Sequence, residues 1–558
     1  MNSSPAIFFI FYIISVISVL GFGLFFRNII FKNSNLFNIG FDGLIGVFIL
    51  TIYSYLSHFF YSHNSIHNFF IIFTGLVLFI LNFKKIQNKF EIRAFIAIYL
   101  LLFFAFIAFK THDDFSYYHF GYTNYINEGK FLIGIGNFNH GFRTPSSIFY
   151  LNSLFFLPIV EKYMFHIGAI MIMGYSITNL VILLYHKFLK KNNDYIFYLI
   201  LLSIIFFVVF FYRISEHGSD RSAQILISLL FIEIFIFFRN LNNLKIFVGK
   251  IFILSSLIIS LKSFYFVYFI LLIPLLFLLK INHQFNKLKY QLNSLPFYLA
   301  ALLIFSVLLV NFFNTGCLVY PLYFTCFPNF EWSILINDVK LMNAHYENWA
   351  KAGAGPNFKV DNIENHIMYF NWLPNWINNY FFNKVSDFLL GILLLILIIY
   401  FSFFSVKKKN KIKDRYLLPI YLFLLILFFE WFYNHPALRY GGYVLISLII
   451  FIPVSKLLER NKINFQKLRK RILILLIVTV FIFLFRNINR INDEIVKYNY
   501  KPIEDFRYEL SDNHYRINKR IQNLINIYQN CKIKTECDFQ GDYEVKEKYQ
   551  TYVFINNN

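Results

Sequence analysis

Long apolar runs alternate along the chain with short polar connections. The runs span 5–26, 41–61, 68–83, 94–109, 162–185, 195–212, 221–238, 251–279, 296–314, 385–405, 415–433, 440–457 and 471–486. Most approach the length of about 18–20 residues that crosses a hydrocarbon core, which predicts an all-α polytopic membrane protein with about 12–14 transmembrane helices. No basic region precedes the first run and no small-residue cleavage site follows it, so it reads as a spanning helix and not as a signal peptide.

The connections fall into two kinds. "KKIQNKFEIR" (84–93), "HKFLKKNND" (186–194), "FRNLNNLKIFVGK" (238–250), "KINHQFNKLKY" (280–290), "KKKNKIKDR" (407–415) and "KLLERNKINFQKLRKR" (456–471) are basic and short. The positive-inside rule places them on the cytoplasmic side. The other side then carries a first outer loop, 110–161, a large outer loop, 315–384, and a tail, 487–558. The chain divides into a transmembrane domain, 1–486, and a small C-terminal extramembrane tail, in which 506–530 has apolar residues at helical spacing. Run 251–279 lies between two basic loops, so it must go out and return. Two short helices meeting at a polar tip near Lys262 and Ser263, with Pro274 bending the second, satisfy that. All four cysteines fall on the outer side, where disulfides form in bacteria. Local bridges Cys317–Cys326 and Cys531–Cys537 are the simplest pairing of the three that four cysteines allow.

Composition adds one exclusion. The net charge of +22 is spread over short loops and not gathered in one domain, so it is no signal for nucleic acid.

Candidate chemistry begins where the fourth run ends, at "KTHDDFSYYHFGYTNYINEGK" (110–130). Asp113 or Asp114 can cap a new helix that runs to Asn127 and stops at Gly129. Phe115, Tyr118, His119, Tyr122, Tyr125 and Ile126 form an aromatic stripe, which predicts a helix lying flat in the membrane interface. Capping needs one carboxylate, and two charges in a water-poor site are costly unless paired or used. At least one aspartate is therefore a catalytic or metal-binding candidate. His112, Asp113, Asp114 and His119 offer oxygen and imidazole ligands to a divalent cation, at a spacing specific for no particular metal. Further on, His140 and Arg143 bracket Gly141 ahead of "SSIFYLNSLFFLP", which predicts a second, half-buried interfacial helix. Arginine, histidine and hydroxyls around flexible backbone suit phosphate or diphosphate.

Three other outer positions carry charge. In "YRISEHGSDRSAQ" (212–224) Asp220 reads as a helix cap and Arg213 as a snorkelling side chain, leaving Glu216 and Arg221 as candidate contacts to sugar or phosphate. Lys262 sits at the polar tip, and Arg439 lies between two helices in "HPALRYGG" (435–442), where it needs an anionic partner. Trp332, Trp349, Trp372 and Trp376 cluster in the large loop, and "WLPNWINNYF" (372–381) reads as a surface-lying amphipathic segment.

An acidic pair at the start of an outer loop, followed by such a helix, resembles the GT-C class of membrane glycosyltransferases. A closer likeness is to multi-spanning bacterial membrane proteins of surface-polysaccharide gene clusters. It rests on His112-Asp113-Asp114, Tyr118-His119, Gly136-Asn137, Arg143, Ser146-Ser147, Leu151-Asn152, "TGCLVYP" (315–321) and "HPALRYGG", covering about 100–450 but not the tail. The resemblance implies an inverting sugar transfer from a polyprenyl-phosphate donor to a glycan or lipid acceptor, at the periplasmic face of a bacterial inner membrane. It implies an outer-loop aspartate, Asp113 or Asp114, as general base, and Arg143, Lys262 and Arg439 as candidates for the leaving phosphate. One departure stands out: several helices precede the acidic pair here, where many GT-C enzymes have one. Two other functions fit the same layout. A polysaccharide polymerase or ligase of the O-antigen kind needs no aspartate base in the first loop. A lipid-linked sugar transporter predicts mid-helix charges and internal symmetry.

Overall fold

The computed structural model describes residues 4–31, 37–86, 88–108, 113–216, 218–241, 243–355, 359–405, 414–533 and 543–556. The helices are α1 (Pro5–Phe31), α2 (Ile39–His58), α3 (Ser65–Asn82), α4 (Lys89–Phe106), α5 (Phe120–Glu128), α6 (Ser147–Ser153) and α7 (Ile167–Leu189). They continue as α8 (Tyr195–Phe210), α9 (Gly218–Asn240), α10 (Leu244–Leu261), α11 (Leu272–Ile281), α12 (Phe285–Gln291), α13 (Leu295–Thr315) and α14 (Ile336–Lys351). The last are α15 (Ile363–Ile367), α16 (Leu373–Trp376), α17 (Ser386–Phe403), α18 (Leu417–Asn434), α19 (Gly442–Glu459), α20 (Phe465–Tyr498) and α21 (Asp512–Ile533). Among the described residues 12 helical stretches are long and apolar enough to cross a membrane, and α8 is a shorter apolar helix. The protein is an all-α, multi-pass membrane protein.

The hydrophobic pattern decides which helices sit inside. α2 and α9 bury nearly their whole circumference, whereas α3, α18 and α20 bury one stripe and leave the rest apolar and exposed. A helix apolar all round is stable only in a core or in lipid, and these two groups are those two cases. At one end of the bundle the basic connections meet. Lys187 and Arg239 both pair with Asp194 (2.8 and 3.5 Å), Arg239 and Lys456 both pair with Glu459 (3.2 and 2.6 Å), and Lys456 also pairs with Asp414. The loop segments and the tail gather at the opposite end.

Several expectations are corrected there. The chain from 113 does form a helix ending at Gly129, with a π-turn over Phe115–His119. It is not spread on a surface. Every residue from Phe120 to Asn127 is buried, because α6 and α21 cover it. α6 is fully buried too, and only seven residues long. Residues 251–279 are not two short helices: α10 and the stretch Ser263–Ile281, which opens with a 3-10 helix over Ser263–Leu271, are each long enough to cross. The segment 372–381 is not a separate surface helix, since Leu373–Phe403 runs on as one helical stretch into α17 and buries Trp372 and Trp376.

The tail is built into this layer. α21 lays His514 against the rings of Phe115 and Phe120 (5.9 and 5.2 Å). Strands β1 (Tyr543–Lys548) and β2 (Thr551–Asn556) form an antiparallel hairpin pairing Tyr543 with Asn556. β2 also adds onto the first loop, with Ile133 N donating to Tyr552 O at 3.0 Å and Phe554 N to Ile133 O at 2.9 Å. Cys317 and Cys326 form a disulfide. Cys537, the partner expected for Cys531, lies outside the described residues, as does His112.

Candidate functional site

Four charged side chains from four separate segments converge at the loop-bearing end. Asp114 stands directly before the π-turn and makes no capping bond there. Asp220 lies in the first turn of α9. Lys262 has an extended backbone (φ −160°, ψ 123°) that ends α10. Arg439 sits on the short 3-10 turn Leu438–Tyr440 between α18 and α19. Gly441 reverses the chain after it with φ of +109°, a left-handed conformation that costs glycine little.

The Arg439 guanidinium bridges the two carboxylates. Its Nη2 donates to Asp114 Oδ2 at 2.9 Å and its Nε to Asp220 Oδ2 at 2.8 Å. Lys262 Nζ donates to the other oxygen of Asp220. Two cations and two anions alternate, so each charge has a partner, as a poorly solvated site requires. The side chains of Asp114, Lys262 and Arg439 are 24%, 27% and 29% exposed, against 7% for Asp220. Three groups can therefore meet a ligand while Asp220 braces both cations from below.

The Arg439 turn is fixed by four side chains, of which the sequence pointed only to Trp376. Gln224 Nε2 donates to Arg439 O at 3.1 Å, and its Oε1 accepts from Val444 N at 3.1 Å. Tyr380 Oη accepts from Leu438 N at 2.8 Å, and the indoles of Trp376 and Trp431 donate to Pro436 O and Ala437 O at 2.8 and 2.9 Å. Gln224 follows Asp220 by four residues, so one face of α9 carries both the brace and the clamp. Aromatic rings wall the cations: Lys262 Nζ is 4.5 Å from the Tyr440 centroid, and the Arg439 guanidinium is 5.7 Å from Trp349.

The wall continues into the first loop. Tyr118 lies across Gly141, where a Cβ would come within 2.2 Å of its ring, so only glycine permits this approach. Burial, and then Asp114, push the Tyr118 hydroxyl well above its ordinary range. His140 lies 5.9 Å from Tyr118 and 5.4 Å from Tyr117, ring to ring. Burial and the Arg143 guanidinium lower its pKa, while Asp114 acts in the opposite sense. Arg143 Nη1 donates to Tyr320 Oη at 2.5 Å and Nε to Gly136 O at 3.2 Å.

The other expected site residues lie elsewhere. Asp113 is exposed and pairs with no cation among the described residues. His119 turns to a small cavity shared with Thr123, Asn152, His166, Ser215 and Glu216. Among the described residues no three His, Cys, Asp or Glu side chains gather as a metal site. Glu216 is held by Arg213 and by Arg490 (3.5 Å), and half-buried Arg221 lies over the Phe211 ring at 5.5 Å. Neither is bonded to the Arg439 network. Asp220, expected as a cap, is its central anion.

The model of a family described as a domain of unknown function (DUF8201) matches residues 6–446, which hold all four members of the network. No curated protein matches the chain. No solved structure matches it either.

Proposed function

The chain belongs to the DUF8201 family, and we propose that it is a GT-C-like membrane glycosyltransferase that moves a sugar from a polyprenyl-phosphate donor to a glycan or lipid acceptor. The observation that carries this reading is the partly open carboxylate Asp114, held at 2.9 Å by an arginine that is itself flanked by a lysine–aspartate pair. A base and a two-cation anion seat stand side by side at the membrane end opposite the basic connections, which we read as the periplasmic side of a bacterial inner membrane.

In this scheme the donor phosphate binds Lys262 and Arg439 and draws the guanidinium from Asp114. Asp114 takes the proton of an acceptor hydroxyl as its oxygen attacks the anomeric carbon. The bond from that carbon to the phosphate oxygen breaks on the opposite face, giving inversion, and the electron pair leaves with the polyprenyl phosphate. The negative charge that appears is met by the two cations, whose orientation Asp220 has already fixed. Trp349 and Tyr440 supply rings on which a sugar can stack.

Asp114→Asn keeps the shape of the side chain and removes the base. In the host it is expected to lose surface glycan by about 10²-fold or more, while exposed Asp113→Asn leaves synthesis near wild type. Full glycan synthesis by Asp114→Asn overturns the reading. Shortened glycan chains on changing Arg143 or Arg439, with Asp114→Asn silent, point instead to a polymerase or ligase.

A further inference from the structure

Arg143 stands apart from the two cations of the network. Arg27, Arg213, Arg239, Arg439, Arg490 and Arg507 each pair with a carboxylate. Arg143 pairs with none among the described residues. Its Nε and Nη1 are held by the Gly136 carbonyl and the Tyr320 hydroxyl, and Nη2 donates to no described group. Its guanidinium also lies 5.3 Å from the Tyr320 ring centroid. The head is therefore fixed in direction while its outer edge is unused.

The turn that carries Arg143 lies beside the Asp114 segment: His140, three residues before Arg143, is 5.9 Å ring to ring from Tyr118, four residues after Asp114. Tyr117 packs on the same imidazole, 5.4 Å away. His140 and Tyr346 lie 6.5 Å apart, ring to ring. Aromatic rings thus link the Asp114 segment to the Arg143 turn, and among the described residues no lysine is bonded to Arg143 or to the two groups that hold it. Lys262 and Arg439 already suffice for a phosphate. A guanidinium fixed in direction with its Nη2 unused matches a carboxylate, to which it can donate a charge-assisted hydrogen bond.

We infer that Arg143 recognises the carboxylate of an acidic sugar on the acceptor, and so sets acceptor specificity from a subsite distinct from the phosphate seat. The inference rests on the glycosyltransferase reading for the word acceptor, but its test does not.

The test uses the purified full-length protein in detergent, with methyl β-glucuronide, methyl β-glucoside and pyrophosphate as separate probes in calorimetric titrations. The glucuronide is expected to bind more tightly than the neutral glucoside. Arg143→Gln is expected to weaken the glucuronide by about tenfold or more and leave pyrophosphate unchanged. Lys262→Gln is expected to do the reverse. Tyr320→Phe, which removes only the hydroxyl that aims Nη1, is expected to weaken the glucuronide less than Arg143→Gln, and it keeps the test valid where Arg143→Gln fails to fold. Equal binding of glucoside and glucuronide overturns the inference, as does a glucuronide preference that survives both variants. Loss of pyrophosphate binding in Arg143→Gln moves the residue to the phosphate seat and also overturns it. Failure of pyrophosphate to bind wild type counts against the donor site alone.

Discussion

Replacing Arg439 with glutamine is expected to abolish glycan synthesis, with a loss of about 10²-fold or more, the range seen when a preorganised donor is taken from a developing negative charge. One guanidinium here spans two carboxylates, at 2.9 and 2.8 Å, from segments more than a hundred residues apart in sequence. Glutamine offers neither charge nor reach, so the proposed phosphate seat loses one of its two cations. Lysine is expected to rescue only partly, since a compact ammonium cannot hold two carboxylates in the geometry of a planar fork. The side chain is partly open, so the accompanying loss of stability is expected to be modest, about 1–3 kcal/mol. Surface glycan in the host reads the first effect and the melting temperature in detergent the second. Near-normal glycan with glutamine at 439 would remove Arg439 from the site.

The second large effect is expected at Asp220, and on folding as well as activity. Asp220 is the buried member of the network and accepts from both Lys262 and Arg439. Asp220→Asn leaves two cations facing each other with no anion between them. Removing one partner from a buried ion cluster costs about 3–5 kcal/mol, and Asp220→Asn is expected to approach that range, while Asp114→Asn barely moves the melting temperature. Adding Lys262→Met to Asp220→Asn is expected to recover part of the stability by removing one uncompensated cation, without restoring activity. Equal melting temperatures for the Asp114 and Asp220 variants would show that Asp220 is no brace.

Much of this was legible from charge and hydropathy alone. Lys262 is marked by a polar break in an apolar run that has to double back, and Arg439 by its place among Pro436, Gly441 and Gly442. The acidic pair is marked by its position at the end of a membrane run. Pairing was not legible. A carboxylate in the first turn of a helix serves equally as a cap or as an ion-pair partner, and sequence assigned Asp220 the first role. Spacing also cannot say what covers an aromatic stripe. The residues around Tyr122 and Tyr125 would suit lipid, yet protein buries them, because α21 arrives from some 400 residues further along the chain. The strand addition between Ile133 and β2 has the same cause: its partners lie far apart in sequence and neither carries a local turn signal for the other. Gln224 and Tyr380, which hold the Arg439 turn through its backbone, leave no mark in composition or charge.

A single-turnover assay on purified protein, supplied with a polyprenyl-phosphate-linked sugar and a glycan acceptor, decides whether Asp114 acts as the base of an inverting transfer. Wild type is expected to release polyprenyl phosphate and to form one glycosidic bond of inverted configuration. Asp114→Asn is expected to bind the donor normally but to transfer about 10²–10⁴ times more slowly. Transfer by Asp114→Asn at the wild-type rate, or a product of retained configuration, would contradict that role.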